Sequence, residues 1–255
     1  MRILKVLLPA IIGVAFLLAG IGARGSVPIY LARQLPEGTQ IKVDGDLSDW
    51  GWLAPIFSTS EEVPFARWDV SRDDFDMEAW VAWSPETNML YHAIKVTDDK
   101  LLTLPIEQPH KVWRYDVLEI FVDADHSGGS YRRQGEDSRG AQQYYLYLQP
   151  EGSAHLGLFG PEGELGWSLK PPYALYAARY DGKAIYYEVA MRLWDWLGTS
   201  PQESRLHQLK AGEVIGWKIT AKDRDDESEA PIGCTLRPLD AWENADNFAE
   251  LMLVP

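Results

Sequence analysis

Apolar and polar residues alternate with a period of two from Thr39 to the C-terminus, and long 3.6-residue patterns are scarce, so the chain predicts strands rather than helices. Ile41 and Val43 alternate ahead of Asp44-Gly45-Asp46. AWVAW at 79–83 turns through SPETN into MLYHAIKV at 89–96, with Pro85 and Asn88 supplying the turn. In VLEIFVD, residues 117–123, Leu118, Ile120 and Val122 share one face while Val117, Glu119 and Phe121 share the other. YYLYLQ (144–149) follows, and YALYAARY and AIYYEVAMRL flank Asp181-Gly182, a hairpin signal. IGWKITA (215–221) and FAELMLV (248–254) bring the expectation to eight to ten strands in two packed sheets, an all-β immunoglobulin-like or jelly-roll antiparallel β-sandwich with long loops. RLWDWLG (192–198) reads as a short helical turn in which Trp194 and Trp196 pack rather than bind.

Residues 1–25 break this pattern. Arg2 and Lys5 precede an apolar run from about Val6 to Ile21, and Ala23-Arg24-Gly25 puts small residues where a signal peptidase cuts. The run is short for a membrane span and is interrupted by Pro9 and by glycines. The expected organisation is a signal peptide at 1–25, a linker at 26–38 and a single sandwich at 39–255, secreted or periplasmic and free of the membrane after cleavage. Loss of Arg2, Lys5 and Arg24 takes the formal charge from -14 to -17. Nucleic acid and anionic membranes are poor partners for such a chain, whereas a neutral polyhydroxylated ligand or bound cations suit it. Cys234 is the single cysteine, so stability cannot come from an internal disulfide.

No nucleophile elbow, zinc-protease helix, P-loop or dinucleotide fingerprint is present, and the five histidines lack i, i+4 pairing, so no catalytic role is expected. What stands out is tryptophan, with 11 residues. An indole covers the C–H face of a sugar ring while hydroxyls at the rim bond to Glu, Asp, Gln or Asn. Trp113 lies just ahead of the 117–123 strand and its acids, which is the pairing a sugar site requires.

Five segments in order, IKVDGDLSDW (41–50), VTDD (96–99), WRYDVLEIFVD (113–123), IGWKITAKDRD (215–225) and AWENADNFAELML (241–253), resemble family 9 carbohydrate-binding modules. These modules belong to a wider group of sandwiches that includes haem-binding domains. The resemblance implies non-catalytic binding of oligosaccharide or polysaccharide ends, with a terminal sugar between tryptophans matching Trp113 and Trp242. Glu119 matches the acid that bonds sugar hydroxyls, and Asp116 and Gln143 fall on neighbouring polar positions. The sequence departs from the family at Tyr145, where an arginine is expected, and at Leu239, where an asparagine is. Arg114 is the candidate to compensate.

The resemblance also implies structural calcium in aspartate-rich loops. Asp123-x-Asp125-x-Ser127-Gly128 copies the opening of a calcium loop, although Gln134 stands where an EF-hand glutamate would close it. Asp44 with Asp46 and Asp49, Asp98 with Asp99, and Asp223 with Asp225 and Asp226 are further oxygen clusters. An enzyme or a surface assembly is the expected protein partner. The alternatives are a haem-binding electron-transfer sandwich, with ligands drawn from Met77, Met89, His92, Met191 and Met252, and a structural module whose ligand site has decayed.

Overall fold

The computed structural model describes residues 27–58, 71–104, 109–132, 139–160, 162–228, 230–236 and 241–255. Residues 1–25, expected to be a signal peptide, Gln134 and Leu239 lie outside the described residues.

Among the described residues fourteen strands run in chain order: β1 Ile29–Gln34, β2 Phe57–Ser58, β3 Phe75–Ser84, β4 Met89–Asp98, β5 Val117–Asp123, β6 Gln142–Leu148 and β7 Ala154–Leu158, followed by β8 Ala174–Tyr180, β9 Ala184–Met191, β10 Trp194–Trp196, β11 Arg205–Leu206, β12 Val214–Asp223, β13 Ile232–Thr235 and β14 Ala249–Val254. Ten of them form one hydrogen-bonded path, β7-β6-β5-β12-β14-β1-β3-β4-β9-β8, with β13 added to β12 and β2 to β3. Neighbouring strands are about 4.8 Å apart, so β12 and β4, four places removed in this path, would be about 19 Å apart in a flat sheet. Yet Trp217 on β12 donates from Nε1 to His92 Nε2 on β4 at 3.0 Å. The sheet is therefore folded onto itself into a sandwich, and its two end strands, β7 and β8, lie against each other.

The alternation read from the sequence decides which faces meet. Leu118, Ile120 and Val122 of β5, Tyr144, Leu146 and Leu148 of β6, and Trp217, Ile219 and Ala221 of β12 enter one continuous core with Met77, Val81, Leu90 and Ile94 from the other layer. The β8–β9 hairpin turns at Asp181-Gly182 as expected: Gly182 has a φ of 91°, and the Asp181 carboxylate accepts from the N–H groups of Lys183 and Ala184, both at 3.0 Å.

Three expectations are corrected. The span 26–38 is not merely a linker, because β1 lies within it and sits mid-sheet, paired with β14 on one side and β3 on the other. Both pairings are parallel, so the sandwich is not wholly antiparallel. Residues 194–196 form strand β10 rather than a helical turn, paired with β11; Trp194 is buried edge-on to Trp167 and tilted against Tyr173. Ile41 and Val43 join no ladder and instead pack on the outer cluster around Trp50 and Tyr91.

Candidate functional site

The outer faces of β5, β6, β12 and β13 leave a cleft of about 740 Å³. Its floor follows from period two and from register. Glu119 and Phe121 project outward from β5, and Gln143, paired with Phe121, projects from β6. Lys218, Thr220 and Lys222 alternate along β12, with Thr220 opposite Glu119 on one side and Thr235 of β13 on the other. Trp113 and Trp242 both line this cleft, and each keeps 45 % of its surface exposed. Large aromatic side chains left this open beside a cavity lose the stabilisation of burial, so the fold itself does not need them there.

Each wall is braced by its neighbours. Trp113 rides the short 3₁₀ turn Pro109–Arg114, with the Arg114 guanidinium 5.8 Å from its ring centroid and the Lys222 ammonium at 5.9 Å. Trp242 belongs to the strap before β14. There Tyr131 donates to the Ala241 carbonyl at 2.9 Å, Ala245 N–H bonds Gly129 O at 2.8 Å, and Gly129 N–H bonds the Asp246 carboxylate at 2.8 Å. Arg132 lies 5.5 Å from the Trp242 ring and 5.2 Å from Phe159, which closes that end. On the floor the Glu119 carboxylate accepts from Gln143 Nε2 at 3.2 Å and pairs with Lys222 at 3.1 Å. These bonds fix an acid and an amide on the floor of the cleft that both indoles line.

Trp113, Trp242, Glu119 and Gln143 thus come together, and three other residues assigned to the slot do not. Asp116 is buried away from the cleft, where it accepts from the N–H groups of Leu102 and Arg224, the latter at 2.8 Å. Tyr145 is outward-facing but lies in an aromatic cluster beside the cleft, 4.8 Å from Phe159. Its ring covers Gly157, where a Cβ would sit 2.1 Å from it. Arg114 backs Trp113 from outside the cleft lining. The reading of the sequence missed Phe121, Arg132, Phe159, Lys218, Thr220 and Lys222. Alternation from Glu119 and through IGWKITAK could have supplied Phe121 and the two lysines; Arg132 and Phe159 carry no such signal.

The aspartates divide differently from their spacing. Asp44 pairs with Lys42 at 2.6 Å and accepts from Asp46 N–H, while Asp46 caps the turn Leu47–Trp50. Asp123 and Asp125 accept from Gly128 and Ser127 N–H, closing a loop that docks on the Trp242 strap. Added bulk at Gly128 (φ 68°) would meet the Asp246 carboxylate at 2.4 Å. These four are turn-forming carboxylates and join no grouping able to share an ion among the described residues. Asp98 at the end of β4, Asp223 at the end of β12 and Asp116 ahead of β5 do converge, all buried, with oxygens within 4.8 Å of one another. Asp74, Asp99 and Asp225 form a second such group. Burial first, and then the charge of neighbouring aspartates drawn from both groups, pushes the carboxyls of Asp98, Asp116 and Asp223 up from their ordinary range. Asp98 Oδ2 and Asp223 Oδ1 are buried without a hydrogen-bond donor. A hard cation with oxygen ligands is what such a set fits.

His92 offers no axial position: its Nε2 takes the Trp217 N–H and its Nδ1 faces Val189 O at 3.4 Å. Met77 and Met191 are sealed in the core.

The family model for the carbohydrate family 9 binding domain-like group matches residues 43–255. The chain belongs to this family. Two solved family 9 modules, both from Caldicellulosiruptor kristjanssonii, share the fold of this module at 14 % identity. The one in complex with cellotriose superposes with a TM-score of 0.60, covering 89 % of this chain and 94 % of that one. The one in complex with glucose gives 0.59, covering 89 % and 95 %. None of the curated proteins matches the module.

Proposed function

We propose that the module binds the end of an oligosaccharide or polysaccharide without transforming it, holding one pyranose ring between Trp113 and Trp242. The observation that carries this reading is the placement of two half-exposed indoles on one cleft whose floor presents Glu119 and Gln143. Rings supply apolar contact to the sugar face, while the carboxylate and amide order its hydroxyls. That the related modules were captured with cellotriose and glucose supports the choice of ligand. The signal-like segment at 1–25 fits an exported binding protein working on extracellular glycan.

Asp98, Asp116 and Asp223 would hold calcium, with Asp74, Asp99 and Asp225 beside them. The ion would supply compensating charge to carboxylates that β4, β12 and the β5 approach bring together. Its role is structural. Arg224, whose N–H bonds Asp116, also donates from Nη1 to Arg114 O at 3.1 Å, so the same knot steadies the turn carrying Trp113.

Isothermal titration against cello- and xylo-oligosaccharides tests the clamp. Binding is expected in the micromolar to millimolar range, roughly -8 to -4 kcal/mol. Trp113→Ala and Trp242→Ala should each abolish the measurable heat; variants indistinguishable from wild type for every sugar would refute the assignment.

A further inference from the structure

Most polar groups on the cleft floor answer one another. Thr220 donates to Thr235 Oγ1 at 2.9 Å, Thr235 in turn donates to the Ile219 carbonyl at 3.3 Å, and the two oxygens of Glu119 are met separately by Gln143 Nε2 and Lys222. Gln143 Oε1 differs. It belongs to a side chain of the cleft lining that is only 3 % exposed, and it is buried without a hydrogen-bond donor. An acceptor stripped of water and left bare destabilises the empty site, and a ligand that brings a donor relieves it. Phe159 adjoins this amide, its N–H bonding the Gln143 carbonyl at 2.9 Å. From there the Arg132 guanidinium bridges to the wall, 5.2 Å from the Phe159 ring centroid and 5.5 Å from that of Trp242. Its partners among the described residues are these two rings, which engage its charge and leave its N–H donors for a ligand.

Resting on the pyranose reading of this cleft, we propose that Arg132 fixes which way round the sugar lies: it donates to a hydroxyl oxygen of the clamped ring at the Phe159 end, and that hydroxyl's proton goes to Gln143 Oε1. A hydroxyl is the sugar group that accepts and donates at once. The indoles alone do not make this choice, because a flat apolar face takes a pyranose in several orientations. An ether oxygen at the same place accepts from Arg132 but leaves Gln143 Oε1 bare, so a free hydroxyl is preferred there over a substituted one. Tyr145 lies in an aromatic cluster beside the cleft and Arg114 outside its lining. Among the described residues Arg132 is therefore the arginine that reaches the slot.

D-glucose and the set of its monodeoxy and mono-O-methyl analogues, each altered at a single hydroxyl, are the probes. Their binding to the purified chain in calcium-containing buffer is read by titration calorimetry and by tryptophan fluorescence. At one ring position, removal of the hydroxyl should weaken wild-type binding about tenfold but Arg132→Met binding less than about threefold, because the partner of that hydroxyl is already gone. Methylation at the same position should weaken wild-type binding at least as much as removal. Methionine keeps an apolar side chain against Phe159 and Trp242, and circular dichroism with the melting midpoint verifies the fold of the variant. If Arg132→Met weakens glucose and every analogue by the same factor, the arginine only supports Trp242 and the assignment is overturned. It is overturned equally if the variant binds the whole set as wild type does. In both cases a loss of binding in Trp113→Ala leaves the pyranose clamp standing. If no probe binds the wild type, or Trp113→Ala changes nothing, the clamp itself falls and this inference with it.

Discussion

Glu188 is wholly buried on β9, yet it is a carboxylate, and its neighbours explain why it is tolerated. One oxygen accepts from the N–H groups of Asp44 and Gly45 at 2.9 and 2.7 Å, and the other accepts from Trp50 Nε1 at 3.0 Å. Burial raises its carboxyl, and the three donors work against that rise. Gly45 has a φ of 82° and sits 3.2 Å, measured from an added Cβ, from Arg179 Cβ, so the loop is pressed against β8 and needs glycine there. The Asp44-Gly45-Asp46 motif is therefore an anchor for the strand-free stretch between β1 and β2 and joins no carboxylate grouping among the described residues. Glu188→Ala strands three donors at once and should cost about 3 kcal/mol, since each unsatisfied buried group costs roughly 1–3 kcal/mol with partial relief by water. Urea unfolding measures it as a lower midpoint at unchanged slope, and sugar binding extrapolated to the folded population should be preserved.

At the level of elements, β4 and β12 end side by side on opposite layers, and their terminal acids Asp98 and Asp223 meet Asp116 between them. Strand pairing forces this approach: β12 is fixed against β5 through seven residue pairs from Gly216 to Lys222, and β4 against β3 through ten from Phe75 to Ser84. Calcium at millimolar concentration should therefore raise the melting midpoint at pH 7.5, and chelator should lower it. A ligand at about 100 times its Kd stabilises by about 2.7 kcal/mol, which is several degrees for a domain of this size. Asp223→Asn should respond to neither, and the wild-type response should fade toward pH 5 as protons compete for the same oxygens. Because Arg224 ties this knot to the Trp113 turn, chelation should also weaken sugar binding; if heats are unaffected, the knot does not support the wall. The strands themselves were legible wherever one face is buried and the other wet, as in β5, β9 and β12. β1 was not, because IYLARQ exposes Ile29 and Leu31 on its outer face, so its apolar residues do not mark a buried side. The indole pair was legible through ordered motifs. The buried aspartate group was half legible: spacing pointed to Asp98 and Asp223, but only the fold shows that Asp116 turns away from the cleft toward them, and that Asp123 and Asp125 close a turn.

For the whole molecule, the decisive event is the folding of one long sheet onto itself, and the His92–Trp217 bond spans the resulting interior. Trp217 is fully buried and donates its indole N–H to His92 Nε2, which must therefore be unprotonated; the ring proton sits on Nδ1, toward Val189 O. Burial lowers the imidazole from its ordinary 6.5 to about 4. In the unfolded chain His92 takes up its proton below 6.5, while in the folded state it resists until about 4. The unfolded state thus binds more protons throughout this window. Stability is fully present above pH 6.5 and falls as pH drops toward 4, by about 3 kcal/mol in total for this one residue at 1.36 kcal/mol per unit. Glutamine at position 92 can offer an oxygen to the indole N–H and does not titrate, so His92→Gln isolates the effect from the buried aspartates, whose raised carboxyls act in the opposite sense. Denaturation midpoints of both proteins between pH 7.5 and 4.5, taken with calcium saturating, should diverge, the wild type losing more stability than the variant as the solution is acidified. Parallel curves would mean that His92 is hydrated or protonated in the native state and that the two layers are not joined by this bond.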